Sequence, residues 1–324
     1  MRDVARVAGV SQTTVSFVIN DVPEVHIPQA TRDRVLAAVR HLGYRPNAIA
    51  RGLRRDATDT IGFVSDDVGT PSSGRMIQGA QDAAWERGKL LLLAGTAGDP
   101  AVEARALAML VDRRVDGIVY ATMHRRVIEP GRPLRELPAV LLDAEAADAS
   151  LPSVVPDDES AAVAATSVML DSGRRRIAFL NRSDPTPAAS RRLAGYRRAL
   201  ESRGLPFDAG LVRAGGYRAA HALLGSADAP TGLLCFDDQI AMGAYQALAD
   251  RNLEVPEDAA VVGFDDHDLI ARCLRPGLST FALPHYDMGR WAIEHLLGLI
   301  EGSSPDSPVV QHRMPCRYVA RQSV

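Results

Sequence analysis

Seven side chains are candidates for binding a small molecule, and some of them directly follow short apolar runs. Four are carboxylates that follow such runs, and the others are a guanidinium, a phenol and an imidazole: Asp66, Asp143, Asp237, Asp265, Arg192, Tyr217 and His285. Carboxylates accept hydrogen bonds from hydroxyl groups, a guanidinium donates a fixed fork, and an aromatic ring stacks on a sugar face. This set of groups favours a neutral polyhydroxylated ligand.

Some of these acids also have a simpler interpretation as helix caps. Asp66 or Asp67 would cap the helix that follows, and Asp238 would cap the segment DQIAMGAYQ, because aspartate accepts hydrogen bonds from the first free amides of a helix. Asp266 would face solvent or act as a cap.

The acid doublets Asp237/Asp238 and Asp265/Asp266 raise the alternative of a sugar-processing α/β enzyme. Adjacent strand residues point to opposite faces, so a doublet does not bring two carboxylates to one substrate atom. The sequence has no GxSxG, no GxxxxGK[ST] and no His/Cys cluster, and its three cysteines are widely spaced. We therefore predict no catalytic residues, no metal site and no cofactor.

From residue 60 onward, strand-length apolar runs alternate with amphipathic segments. The runs include TIGFVS, KLLLLAG, DGIVYA, PAVLLD, RRIAFLN, TGLLCF and AAVVGF. Such runs predict parallel strands that are buried on both faces and separated by helices. A break near Pro156 predicts two open sheets in series, with a ligand cleft at the carboxyl ends of their strands.

The first 55 residues differ in charge from the rest of the 324-residue chain. They hold nine Arg, no Lys and four acids, whereas the whole chain has a net charge of −3. A basic N-terminal head, residues 1–55, joined to an acidic remainder indicates a nucleic-acid-binding module followed by a domain with another role. No apolar run reaches the roughly 20 residues of a membrane span, and the start lacks a secretory signal, so a cytoplasmic location is expected.

The head has the pattern of a helix-turn-helix. DVARVAG forms a short helix that Gly9 ends, Ser11 caps a second helix over TTVSFVIN, and Thr31 is expected to cap a third. The packing stripe of the third helix would be Val35, Leu36, Val39 and Leu42. Residues at the start of the second helix would contact base edges in a major groove. They are Ser11, Gln12, Thr13, Thr14, Ser16 and Phe17. A purely structural three-helix bundle is the alternative.

Two long segments resemble the lactose repressor (LacI/GalR) family of bacterial transcription regulators. They are DVARVAGVSQTTVSFVIN at 3–20 and TRDRVLAAVRHLGYRPNAIARGL at 31–53, and the resemblance continues through most of the chain. It implies an N-terminal all-α helix-turn-helix domain plus an α/β periplasmic-binding-protein-like core of two doubly wound subdomains. Six of the ligand candidates also match effector positions of the family, while His285 is a candidate because it lies near the second crossover between the subdomains. Phe17 departs from the arginine common in the family and would contact a thymine methyl group or pack inward.

The resemblance also implies a division of the chain and a hinge. It predicts a DNA-binding domain at 1–46, a hinge helix and linker at 47–58, and an effector-binding core at 59–324. The core would divide into an N-subdomain of about 59–156 and 284–316 and a C-subdomain of about 157–283 and 317–324. In the hinge, Asn47 and Ala50 would contact DNA, and Leu53 would wedge into the minor groove.

These observations together predict a sequence-specific DNA-binding regulator, and not an enzyme. It would be a repressor that binds a pseudo-palindromic operator as a homodimer and responds to a small-molecule effector in the cleft, with a sugar as the favoured class. A dimer is preferred to a tetramer because the sequence ends at RYVARQSV without a heptad tail. The alternatives are a nucleoside or purine effector, or an activator.

Overall fold

The computed structural model describes residues 1–20, 25–44, 57–302 and 308–324. These residues form two compact units, one before and one after the boundary between Asp59 and Thr60. Among the described residues, none of the helices combines the length and the apolar character that a membrane crossing requires.

The first unit contains three helices in the arrangement that the sequence predicts: α1 (Arg2–Ala8), α2 (Gln12–Ile19) and α3 (Gln29–His41). Gly9 ends α1 in the left-handed conformation, with a φ of 65°, and the Ser11 hydroxyl caps α2 by accepting the Thr14 amide at 3.0 Å. Both of these predictions are confirmed. The third helix begins at Gln29, so the predicted cap at Thr31 is wrong and Thr31 lies inside the first turn.

A small apolar core holds the three helices together. It consists of Val4, Ala5, Ala8, Val15, Val18, Val35 and Ala38. Leu36 and Leu42 of the predicted stripe are exposed, while Val39 is partly buried against the core. The stripe is narrower than predicted because Val35, Ala38 and Val39 follow the i, i+3, i+4 spacing, whereas Leu36 lies about 100° away around the helix.

The first lobe of the second unit is built on a six-stranded parallel sheet with the order β11-β5-β4-β3-β1-β2. Most of its elements come from one stretch of chain: β1 (Thr60–Ser65), α4 (Pro71–Glu86), β2 (Leu90–Gly95), α5 (Pro100–Asp112), β3 (Gly117–Ile128), α6 (Arg132–Glu136), β4 (Ala139–Ala146) and β5 (Ser153–Pro156). Two elements come from near the end of the chain: α11 (His285–Ile300) and β11 (Gln311–Met314).

The second lobe has the same layout, with the sheet order β12-β10-β9-β8-β6-β7. Its elements are α7 (Asp158–Asp171), β6 (Ile177–Asn181), α8 (Pro187–Ser202), β7 (Val212–Ala214), α9 (Tyr217–Leu224), β8 (Gly232–Cys235), α10 (Asp238–Ala249), β9 (Ala260–Phe264), β10 (Ser279–Ala282) and β12 (Arg317–Val319). Only β12 runs antiparallel to its neighbour among the strands described. The prediction of two doubly wound subdomains is confirmed.

Helices cover both faces of the first sheet, as the continuous apolar runs predict. Phe63 packs with α4 and α11 on one face, whereas Val64 packs with α5 on the other. The run KLLLLAG is the exception, because β2 is an edge strand and the side chains of Leu90 and Leu93 are 55% and 47% exposed. The strand prediction is confirmed there, but the predicted burial on both faces is wrong.

Candidate functional site

A cavity of about 190 Å³ lies between the two lobes, where strands of both sheets end. It brings together five of the seven predicted ligand residues, which are Asp143, Arg192, Asp237, Asp265 and His285. The rest of its wall consists of Thr70, Ser72, Met123, Arg125, Pro156, Asp158, Arg182, Thr186, Ala188, Phe236, Gln239, His267 and Leu283. The candidate ligand residues therefore come from both lobes, as expected for a cleft at the carboxyl ends of parallel strands.

Arg192 lies on α8 and is only 3% exposed. Its Nε donates to Asp158 Oδ1 at 2.9 Å, and its Nη1 donates to the carbonyl oxygen of Phe236. The guanidinium carbon lies 4.3 Å from the ring centre of Phe236 and 4.2 Å from that of Phe264, so two aromatic rings also stabilise the cation. These contacts hold the guanidinium in one orientation and use two of its three nitrogens.

Asp143 and Asp265 occupy matching places in the two sheets. Asp143 lies on β4 and Asp265 directly follows β9, and these strands hold the same position in the order of their sheets. Both residues have a positive φ, 53° for Asp143 and 105° for Asp265, which is uncommon for residues other than glycine and often marks functional sites. Burial raises the pKa of both carboxyl groups well above the ordinary value.

The neighbouring acids Asp237 and Asp238 have different hydrogen-bond partners. Asp237 caps α10 by accepting the Ile240 amide at 2.7 Å, so the prediction that Asp238 is the cap is wrong. Asp238 is fully buried and accepts the Thr280 hydroxyl at 2.7 Å and the His267 amide at 2.8 Å. It thereby ties the segment after Asp265 to β10, and burial raises its pKa to about 7.

His285 begins α11 and is buried against the cavity. Burial, followed by the positive charges of Arg192 and Arg75, lowers its pKa to about 4. The imidazole is therefore neutral near pH 7 and offers a ligand one donor and one acceptor.

Two predicted ligand residues are absent from the described wall of the cavity. Asp66 accepts the Met123 amide at 2.8 Å through Oδ1, so it holds the backbone of a residue that lines the cavity. Tyr217 is 40% exposed at the start of α9, where its hydroxyl donates to Asp250 at 2.7 Å.

The cap interpretation of Asp66 and Asp67 is wrong. The helix α4 is capped by Thr70, whose hydroxyl accepts the Ser73 amide at 3.3 Å. Asp67 instead accepts the Gly69 amide at 2.7 Å in the preceding turn.

Sequence reasoning missed three charged residues of the cavity, Asp158, Arg125 and Arg182. Asp158 follows the apolar run SVVP, so the rule that selected the other strand-end acids also applies to it. Arg125 had no such signal, because it lies on β3 close to an irregularity in the pairing with β4, between Ala121 and Arg126. A change of strand register depends on tertiary packing and cannot be read from periodicity.

Five of the six predicted DNA-reading residues of the head lie on α2, and Ser11 directly precedes it. Gln12 and Thr13 are exposed, while Thr14, Ser16 and Phe17 are partly buried. The Ser11 hydroxyl is engaged in the cap of α2. The predicted hinge contacts Asn47, Ala50 and Leu53 lie outside the described residues.

The comparisons with known proteins agree with this architecture. Residues 1–47 match the family model "Bacterial regulatory proteins, lacI family", and residues 166–324 match "Periplasmic binding protein-like domain". The HTH-type transcriptional regulator RegA of Clostridium saccharobutylicum is 34% identical, with 97% of each chain covered. The ribose operon repressor of Escherichia coli K12 is also 34% identical, with 92% of each covered.

Solved structures show the same likeness. A lac repressor dimer bound to operator and the anti-inducer ONPF superposes with a TM-score of 0.83 at 25% identity, covering 99% of this chain and 97% of that one. A complex of the regulator CelR with cellobiose has a TM-score of 0.70 at 28% identity, covering 99% and 98%.

The fold and the relatives define a DNA-binding transcriptional regulator with a two-lobed periplasmic-binding-protein-like core. The chain belongs to the lacI family of bacterial regulatory proteins. The family resemblance inferred from the sequence is thereby confirmed. The prediction of a regulator, and not an enzyme, is confirmed by the regulators and repressors among its relatives.

Proposed function

We propose that this regulator is a repressor whose operator binding is controlled by a small sugar in the cleft. The observation that carries the proposal is the cavity between the lobes, where Asp143 and Asp265 face a ligand space from opposite lobes beside Arg192. A ligand with several hydroxyl groups can donate to both carboxylates and accept from the guanidinium at the same time. Such a ligand would bind the two lobes together.

The size of the cavity supports a ligand like a monosaccharide. Its volume of about 190 Å³ is below the roughly 300–1,000 Å³ typical of sites for drug-sized molecules. Relatives named ribose operon repressor support the same class, so D-ribose is the first sugar to test.

A purine is the second candidate. The ring of Phe236 lines the cavity and offers a flat surface on which a base could stack. Relatives named PurR are 30% identical over the whole chain.

We propose further that the chain acts as a homodimer that pairs through the first lobe. The edge strand β2 exposes Leu90 and Leu93, and the neighbouring helices expose Trp85 and Met109. A long apolar sheet edge promotes aggregation unless a partner covers it. The structural relative that binds operator is itself a dimer.

The remaining roles follow from this proposal. Residues 1–46 would read each half of a pseudo-palindromic operator through α2, and residues 47–58 would form a hinge that places Leu53 in the minor groove. The core at 59–324 would divide into the two subdomains predicted from the sequence. Such a regulator works in the cytoplasm, where the DNA is.

A thermal-shift screen of the purified chain tests the effector. The panel contains D-ribose, other monosaccharides, cellobiose, hypoxanthine and guanine, and each compound that stabilises the protein is then added to a complex with a selected operator fragment. We expect a monosaccharide to raise the melting temperature and to change operator affinity. Stabilisation by purines alone would favour the second candidate, and a protein that responds to neither class would contradict the proposed cleft function.

A further inference from the structure

The strand β3 carries a guanidinium into the cleft that the proposed sugar site does not use. Pairing between β3 and β4 shifts register between Ala121 and Arg126 and then continues to Ile128. Arg125 lies within this shifted stretch, lines the cavity and is only 3% exposed. A buried arginine requires compensating acceptors, so its partners indicate what it does.

Arg125 and Arg192 share one carboxylate across the cleft. Arg125 Nη1 donates to Asp158 Oδ2 at 2.9 Å, and Arg192 Nε donates to Asp158 Oδ1 at 2.9 Å. Arg125 belongs to the first lobe, whereas Asp158 and Arg192 belong to α7 and α8 of the second. One carboxylate therefore binds a guanidinium from each lobe, and each guanidinium uses a separate oxygen.

A second carboxylate balances the charge of this cluster. Glu145 on β4 accepts Arg125 Nη2 at 2.8 Å, and its other oxygen lies 3.6 Å from Arg191 Nη2 on α8. The side chains of Arg125 and Asp158 are 2% and 1% exposed, so water screens their attraction little. Removing Arg125 would leave Asp158 with a single cationic partner in a buried place.

The cluster also lies at a point where the chain passes from one lobe to the other. The strand β5 ends at Pro156, α7 begins at Asp158, and Arg125 Nη1 is 3.4 Å from the carbonyl oxygen of Pro156. Arg125 therefore contacts the first lobe, the crossing segment and the second lobe at once. A change in the angle between the lobes would separate these groups.

We propose that Arg125 is a positioning residue for effector binding. By holding one oxygen of Asp158, it fixes the plane of that carboxylate, and the other oxygen then holds Arg192 in its binding orientation. Because Arg125 comes from the opposite lobe, Arg192 is fully positioned only while the lobes are together. The inference rests on the proposed function in one respect, the role of Arg192 as a ligand donor.

The Nε–H group of Arg192 reports its own positioning without any ligand. It is buried, bonded to Asp158 and flanked by the rings of Phe236 and Phe264, so its NMR signal should be shifted by the rings and protected from hydrogen exchange. The experiment uses the full chain labelled with 15N-arginine, and an Arg192→Lys variant assigns the signal by deleting it.

Arg125→Met keeps the aliphatic length of the side chain and removes the charge. We expect the Arg192 Nε–H signal to move and to exchange at least about tenfold faster, since one partner of a buried charge pair is lost. Arg135→Met is the matched control, because Arg135 forms an exposed pair with Asp148 in the first lobe. An unchanged Arg192 signal in folded Arg125→Met protein would overturn the proposal.

Arg125→Lys covers the case in which the methionine variant does not fold. Lysine keeps the charge but lacks the planar fork that reaches two carboxylates, so an intermediate change in the Arg192 signal is expected. An unchanged signal in this variant would also overturn the proposal.

Titration with D-ribose separates this proposal from the proposed function. We expect Arg125→Met to weaken D-ribose binding at least about tenfold, while Arg135→Met binds as the original chain does. Equal affinity in Arg125→Met would overturn the positioning role. Failure of the original chain to bind D-ribose would count against the ribose assignment alone, and the Arg192 signal would then decide the role of Arg125.

Discussion

The two lobes of the core share one topology but differ in the surfaces that they present. Both sheets place their strands in the same order, and the matching strands β4 and β9 bring Asp143 and Asp265 to the cleft with positive φ angles. The second lobe adds Arg192 between two aromatic rings, and the first lobe adds Arg125 from an irregular strand. A repeated fold thus supplies matching acids but different cations.

The outer edges of the two sheets differ as well. The edge strand β2 of the first lobe is a run of leucines, whereas β7 of the second lobe is a three-residue strand that exposes Arg213 and Ala214. A short polar edge avoids pairing with other chains, and a long apolar edge invites it. This difference supports the proposal that both lobes line the ligand cleft and that the first lobe alone pairs with a second subunit.

The largest expected effect concerns the loop that carries Asp265 in the second lobe. Burial raises the pKa of Asp238 from an ordinary value near 3.8 to about 7, so the folded protein keeps this proton over a range where the unfolded chain has lost it. Stability should therefore fall as pH rises from about 4 to 7. Asp238→Asn should reduce that fall by about 4 kcal/mol, as measured by urea denaturation at several pH values.

Asp143 and Asp265 have raised pKa values too, so the free energy of unfolding of the Asp238→Asn variant should still decline somewhat as pH rises. Asp208→Asn is a suitable control, since Asp208 is an exposed cap of a short turn. Identical pH profiles for Asp238→Asn and the original chain would show that Asp238 does not hold the loop as a buried acid.

Arg192→Ala tests the cation of the second lobe. The change removes the group that bonds Asp158 and Phe236 and lies between two rings, so sugar affinity should fall by about 3 kcal/mol, or more than about 100-fold. Calorimetric titration measures the affinity, and circular dichroism checks the fold. A folded variant that still releases operator on addition of the sugar would refute the assignment.

Leu93→Asp tests the proposed use of the first-lobe edge. A leucine that becomes buried between subunits contributes about 2 kcal/mol, and an unpaired carboxylate in its place opposes association further. Sedimentation should show a shift from dimer to monomer and a parallel loss of operator affinity. Leu269→Asp, at a leucine of the second lobe that is 77% exposed, is the control and should leave the dimer intact.

The smallest effect compares the two matching acids directly. Asp143→Asn and Asp265→Asn each keep the shape of the side chain and one acceptor oxygen, so each should weaken sugar binding by only about 1.5 kcal/mol. Parallel titrations of the two variants measure whether the lobes contribute equally. A loss confined to one variant would show that the equivalence of β4 and β9 is geometric and does not extend to binding.

Local patterns in the sequence predicted seven of the strands, β1 to β4, β6, β8 and β9, and the boundary between the first two helices. Gly9 and Ser11 mark the ends of the first two helices because glycine adopts a positive φ and a serine hydroxyl accepts a free helix amide. The apolar runs mark the strands. Because Asp143 and Asp265 follow such runs, the sequence also predicted that both acids lie at one cleft.

Contacts between elements distant in the chain decided the rest. Tyr217 lies outside the cavity, Arg125 lies inside it, and the leucines of β2 are exposed, although none of these outcomes follows from the neighbouring residues. Periodicity specifies which face of an element is apolar, but it does not specify which strand lies at the edge of a sheet or which lobe faces a given side chain. The position of a strand in its sheet and the surroundings of a side chain depend on how whole elements pack. Only the assembled sheets determine which charged groups are buried together.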